Sequence, residues 1–226
     1  MRLFDATLWA RPRARAGKTG SPAADSDDST EGDGTAVVHD TVQFFYEQFD
    51  RTIDDHTDGG EHPERPDTAR EWFTEVRRFK PETLDDARFG YAPAGCRDEL
   101  VAYLLRRGHE RDDLRASGLF TEGLDRTLWN GQYVFPYFDE HGRAVYAITR
   151  CTGSKGGGAA EYDGPPADYL AGKHAKPATT QEHVDVEEPI FGVPSLDRDG
   201  PVLITEGIAD TIRAHEHAGR ALVRPR

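Results

Sequence analysis

The sequence predicts an α+β fold, and three observations carry that expectation. Apolar residues recur at three- and four-residue spacing through most of the first half. The pattern then changes to alternation on both sides of a turn at Gly142, and a last apolar run leads through Glu206-Gly207 into another helical pattern. The expected organisation is a disordered acidic arm over 1–36, a mainly helical, hairpin-bearing subdomain over 37–200, and a strand followed by a helix over 201–226.

Composition limits the function classes. The chain has 226 residues, of which 36% are hydrophobic, and a mean hydropathy of −0.72. That is enough to bury a core, but not along the whole chain. No apolar run reaches the length of a membrane span and no secretory leader opens the sequence, so the reading is cytoplasmic with no membrane partner. Cys96 and Cys151 each stand alone, which indicates neither a disulfide framework nor a zinc knuckle. A net charge of −13 argues against nucleic acid, because phosphate contacts need local positive charge. Yet only five of the 28 basic residues are lysine and acids are spread throughout, a pattern suited to a salt-rich, halophilic cytoplasm. Screening over about 3 Å in molar salt would leave only close contacts to matter.

The elements follow in order. Residues 17–36 are Gly, Ser, Asp and Thr with almost nothing to bury, and the "AGKT" within them has Pro12 where a phosphate loop requires glycine. Val38, Val42, Phe45 and Phe49 mark an amphipathic helix. A second helix opens at Asp67 or Thr68 and runs through "AREWFTEVRRF", with Trp72, Val76 and Phe79 on one face. Further helices are expected in "ETLDDARF", in "DELVAYLLRRG" up to Gly108 and in "ERDDLRASG" up to Gly118, with "GYAPAG" as a turn. Two antiparallel strands are expected at about 132–138 and 143–150. A Gly- and Pro-rich stretch follows, and "PVLIT" reads as a short buried strand before a helix that ends at Gly219.

Glu206 at the end of that strand, with Asp210 four residues on, stands where open α/β sheets meet their ligands. A carboxylate there serves as general acid or base or as a magnesium ligand, or it merely caps the helix that begins near Ile208. Spacing alone leaves both readings open.

"LITEGIADTIRAHEHAG" resembles the first motif of the Toprim domain, the magnesium-binding fold of bacterial-type primases, type IA and type II topoisomerases and some nucleases. Upstream, "VQFFYEQFD", "AREWFTEVRRFKPETLDDARFGYAPAGC", "YVFPYFDEHGRAVYAITR", "GKHAKP" and "PIFGVPSL" resemble, in order, segments of the DnaG-like primase catalytic core, from about residue 37 to 220. The resemblance implies template-directed RNA primer synthesis, with single-stranded DNA and NTPs as partners, Mg²⁺ as cofactor, and a replicative helicase or a second chain completing the Toprim domain as further partners. It places Glu206 and Asp210 at the catalytic and metal site, and Arg77, Arg150 and Lys173, with Lys176 as alternative, on a basic track for template and nucleotide. Asn130 and Gln132 stand where the family has Arg, which would relocate the template grip to Arg126. The family's later Asp-x-Asp pair does not follow before Arg226, so the expectation is a truncated form with little activity alone. The alternatives are a non-catalytic nucleic-acid-binding replication accessory and another Toprim enzyme, a nuclease or topoisomerase.

Overall fold

The computed structural model describes residues 33–51, 67–127, 129–151, 174–192 and 203–218. Helix α1 (Gly34–Glu47) starts three residues earlier than the expected arm boundary. The Asp33 side chain accepts from the Ala36 N–H at 2.9 Å, and the Gly34 N–H donates to Asp185 at 3.1 Å. A Cβ on Gly34 would lie 2.2 Å from the Asp185 carboxylate and 2.4 Å from the Ala116 carbonyl oxygen, so the helix begins where only glycine lets three segments meet. Its apolar stripe, Val38, Val42 and Phe45, is buried as expected.

Helix α2 (Ala69–Glu71) opens with a reciprocal cap: Glu71 N donates to Thr68 Oγ1 and Thr68 N to the Glu71 carboxylate, both at 3.1 Å. Beyond it the expected single helix fails. Trp72–Val76 winds as a π-helical turn, closed by Arg77 N donating to the Trp72 carbonyl at 3.1 Å. The wider turn shifts the helical phase. Phe73, absent from the predicted face, becomes 1% exposed, whereas Val76, placed on it, is 53% exposed. Phe73 wins the interior because its ring meets Phe49, Phe79, Phe89, Tyr133 and Phe135 at 5.1 to 6.2 Å between centroids. Helices α3 (Pro81–Ala87), α4 (Arg97–Arg106) and α5 (Arg111–Ala116) match the expected segments, with Gly108 and Gly118 at positive φ after the last two.

Four antiparallel strands form one sheet in the order β1-β2-β3-β4. The expected hairpin is β2 (Gln132–Phe138) with β3 (Ala144–Cys151), turned by Gly142 at φ 74° and by Asp139, whose carboxylate accepts from His141 N and Arg143 N at 2.8 and 2.9 Å. β4 (His174–Ala175) pairs with β3. β1 (Gly90–Ala92), read from sequence as part of a turn, pairs instead with β2 along its buried edge. Gly90 explains how it fits: a Cβ there would sit 2.7 Å from the Phe45 carbonyl carbon on α1. Gly90→Ala is expected to destabilise the chain by about 1–3 kcal/mol through overpacking, measured by denaturant unfolding.

The strand expected at "PVLIT" is a correction. Residues 203–205 have no strand pairing, and Leu203 and Ile204 are 68% and 74% exposed. A strand exists through a neighbour's hydrogen bonds, and among the described residues none lies alongside this run. Helix α6 (Ile208–Ala218) does form where expected and buries Ile212. Among the described residues no helix is long and apolar enough to cross a membrane. Cys96 is a packed thiol, pushed up to about 12 by burial.

Asp40 on α1 ties down the end of α4. Its Oδ2 lies 2.8 Å from Arg107 Nε and 2.7 Å from His109 Nε2. Burial opposes its ionisation, but the hydrogen bonds from Arg107 and His109 outweigh that and hold the carboxyl below its usual 3.8. A depressed folded value means stability present above the unfolded value and lost as pH falls through the folded one. Asp40→Asn should therefore lower the melting temperature at neutral pH and flatten its fall below about pH 4.

Candidate nucleotide and nucleic-acid site

The period-two geometry of the hairpin sends Tyr133, Phe135 and Tyr137 of β2 and Ile148 and Arg150 of β3 to one face. The π-helical turn and α6 face it. Between them lies a cavity of about 510 Å³, lined by Phe135, Tyr137, Ile148 and Arg150 from the sheet, Trp72 and Arg77 from the π-helical segment, Lys176, and Glu206 to Asp210 from the start of α6.

Five of the residues expected from sequence therefore surround one space: Arg77, Arg150, Lys176, Glu206 and Asp210. Arg126 does not; it is exposed in the 121–127 loop, where its backbone carbonyl accepts from Thr121 N at 3.1 Å. Lys173 lies outside the described residues. Gln132 is 2% exposed and its Oε1 accepts from Thr149 Oγ1 at 2.5 Å, while Asn130 accepts from Gly95 N at 2.7 Å. Both side chains are spent on holding the fold, which explains why polar amides stand at positions where the resemblance calls for Arg.

The environments of the five differ. Arg77 ends the π-helical turn with its guanidinium 5.6 Å from the Trp72 ring centroid, and Trp72 stacks on Tyr133 at 4.6 Å and 22°. Lys176 Nζ is 2.7 Å from the Glu188 carboxylate, both half-exposed, a pair of the kind that contributes about 0–1 kcal/mol. Glu206 and Asp210 are exposed at the mouth. Asp210 sits in the first turn of α6, and its Oδ2 would lie 3.5 Å from a Cβ placed on Gly207, so its carboxylate folds back over the helix start.

Sequence reasoning missed Trp72 as part of the cavity wall and missed Arg213 entirely. Arg213 Nη1 donates to the Arg78 carbonyl at 2.6 Å, Nη2 donates to the Arg77 carbonyl, and the guanidinium lies 4.4 Å from the Phe79 ring centroid. The available signal was an Arg–Glu pair three apart on α6, Arg213 with Glu216, which from sequence alone reads as an ordinary surface ion pair.

A small antiparallel sheet flanked by helices, with cations, carboxylates and aromatic rings lining one cavity, defines an α+β class. Among solved structures the fold is similar to the DnaG catalytic core, at TM-score 0.55 and 16% identity over 83% of this chain and 52% of that one. Similarity extends to the RNA polymerase domain of Mycobacterium tuberculosis primase DnaG, at TM-score 0.47 and 20% identity over 72% and 44% of the two chains. The same domain in complex with a double-stranded DNA oligomer with a 6-nucleotide overhang matches at TM-score 0.48 and 20% identity over 74% and 44%. The chain spans about half the length of these proteins. No protein-family model and no curated protein matches it. The fold is that of part of the DnaG catalytic core.

Proposed function

We propose that this chain is a DnaG-like primase core fragment, carrying the start of a Toprim domain, that binds single-stranded DNA and nucleotides in the cavity between β2–β3 and α6. The observation that carries the reading is the convergence of Arg77, Arg150 and Lys176 with Glu206 and Asp210 on one space within this fold. Arg77 and Arg150 offer forked donors to phosphate oxygens and Lys176 a movable charge. Trp72, partly exposed at the cavity wall, adds ring surface of the kind on which bases of single strands stack.

The acidic rim suits Mg²⁺ only in company. Among the described residues no group of three metal-ligating side chains exists, so Glu206 and Asp210 would supply two carboxylates and nucleotide phosphates the remaining oxygens, the usual arrangement for this ion. When bound there, it would neutralise charge on the phosphates. In the reaction, the 3′ hydroxyl of the growing strand attacks the α-phosphorus of an NTP and pyrophosphate leaves. Glu206 takes the hydroxyl proton or organises the ion, and Arg77 and Arg150 hold the phosphates.

Anisotropy of a labelled single-stranded oligonucleotide, followed by a primer-synthesis assay on the same template, tests the proposal. Binding that weakens with salt and product that requires NTPs are expected; wild-type chain that neither binds nor synthesises overturns the reading. A second reading keeps Arg77, Arg150 and Lys176 as phosphate contacts without the chemistry: a nucleic-acid-binding replication accessory. Binding without product, in this chain and in one extended by the downstream reading frame, would select it. Arg150→Ala is expected to weaken binding about uniformly across sequences and to reduce the salt slope by about 1.

A further inference from the structure

We infer that Arg213 is a positioning residue for Arg77: it fixes the peptide from which the Arg77 side chain enters the cavity. The inference rests on the nucleic-acid reading of that cavity.

Arg77 occupies an awkward place in the chain. Its N–H closes the π-helical turn onto Trp72, and the next residue, Arg78, has a φ of 58°, a left-handed conformation that a non-glycine residue keeps only when its surroundings impose it. The carbonyls of Arg77 and Arg78 lie past the end of the helical ladder and need donors from elsewhere. Both receive them from one side chain. Arg213 of α6 donates from Nη2 to the Arg77 carbonyl and from Nη1 to the Arg78 carbonyl, so its planar fork spans consecutive peptides.

The fork is itself held in place. Its plane lies 4.4 Å from the Phe79 ring centroid. Glu216, whose side chain is 4% exposed, accepts from Arg213 Nη1 at 2.8 Å through one oxygen and from Lys80 N at 2.7 Å through the other. Residues 77–80 are thus clamped onto α6 at successive points, and α6 is the helix that carries Asp210. The direction in which Arg77 leaves the backbone and the distance from its turn to the acidic rim are set by the same guanidinium. A lysine at 213 keeps the charge but cannot bridge two carbonyls in one plane.

A double-mutant cycle on single-stranded oligonucleotide binding tests this, using the full chain, anisotropy across a salt series, and circular dichroism to confirm folding. Arg77→Ala is expected to reduce the salt slope by about 1 and weaken binding roughly 10-fold. Arg213→Ala should reproduce most of that loss, and the double variant should be no weaker than Arg77→Ala alone, because the second change removes only the support of a group already absent. Should Arg213→Ala fail to fold, Arg213→Lys serves: about a 3-fold loss in the wild-type background and none in the Arg77→Ala background. Multiplying losses would show Arg213 acting as an independent phosphate contact and overturn the inference alone. Wild-type chain that binds no oligonucleotide, or Arg77→Ala that binds as wild type, would overturn the reading of the cavity and the inference with it.

Discussion

Phe73→Ala is expected to destabilise the chain by about 3–5 kcal/mol in denaturant unfolding, a large share of the stability of a domain this size. The residue is 1% exposed and its ring connects three parts of the molecule: Phe49 after α1, Phe89 beside β1, and Tyr133 and Phe135 on β2. Removing it leaves a hole bounded by other rings whose backbones belong to different elements, so the site cannot close by moving one of them. Val76→Ala, three residues on and more than half exposed, is the internal control. It should change stability by no more than about 0.5 kcal/mol. Equal effects at the two positions would mean that the π-helical phase is wrong and that the regular helix expected from sequence is the true one.

Glu206→Gln is expected to lower template-directed nucleotide transfer by about 10²–10⁴-fold, the range for loss of a general acid or base, while melting and oligonucleotide affinity stay near wild type. Glu206 is exposed at the cavity mouth, and its neutral isostere keeps the shape, so folding has little to lose. In the proposed reading DNA affinity comes from the arginines, not from a carboxylate that repels phosphate. A parallel drop in melting temperature would mark Glu206 as a structural helix cap, and unchanged synthesis would remove it from the chemistry altogether.

How much of this could be read from the sequence depends on the range over which each decision is made. The Thr68 capping box, the Gly108 and Gly118 stops, and the Asp139–Gly142 turn are decided within a few residues, and each stands where the local pattern puts it. The hairpin follows for the same reason, since alternation and turn chemistry agree. The ordered resemblance to primase segments also named Arg77, Arg150, Glu206 and Asp210, with Lys176 as the alternative to Lys173, and the structure brings these five round one cavity.

What failed required partners remote in sequence. "GYAPAG" looks like a turn until β2 offers an edge and Phe45 a close contact that glycine alone admits. "PVLIT" looks like a strand, but among the described residues nothing pairs with 203–205, and Leu203 and Ile204 remain exposed. The amides at 130 and 132 gave no local sign of being committed to the backbone of Gly95 and the hydroxyl of Thr149.

The amino-acid sequence by itself therefore determined the helices other than the π-helical turn at Trp72–Val76, the hairpin and the set of charged residues, because propensity, capping and turn geometry act over single turns of chain. Tertiary structure alone decided that Phe73 rather than Val76 faces inward, that β1 is a strand, and that Arg213 reaches back 135 residues to the Arg78 carbonyl. Those outcomes are settled by which rings and carbonyls compete for the same buried space, and that competition exists only once the distant elements have met.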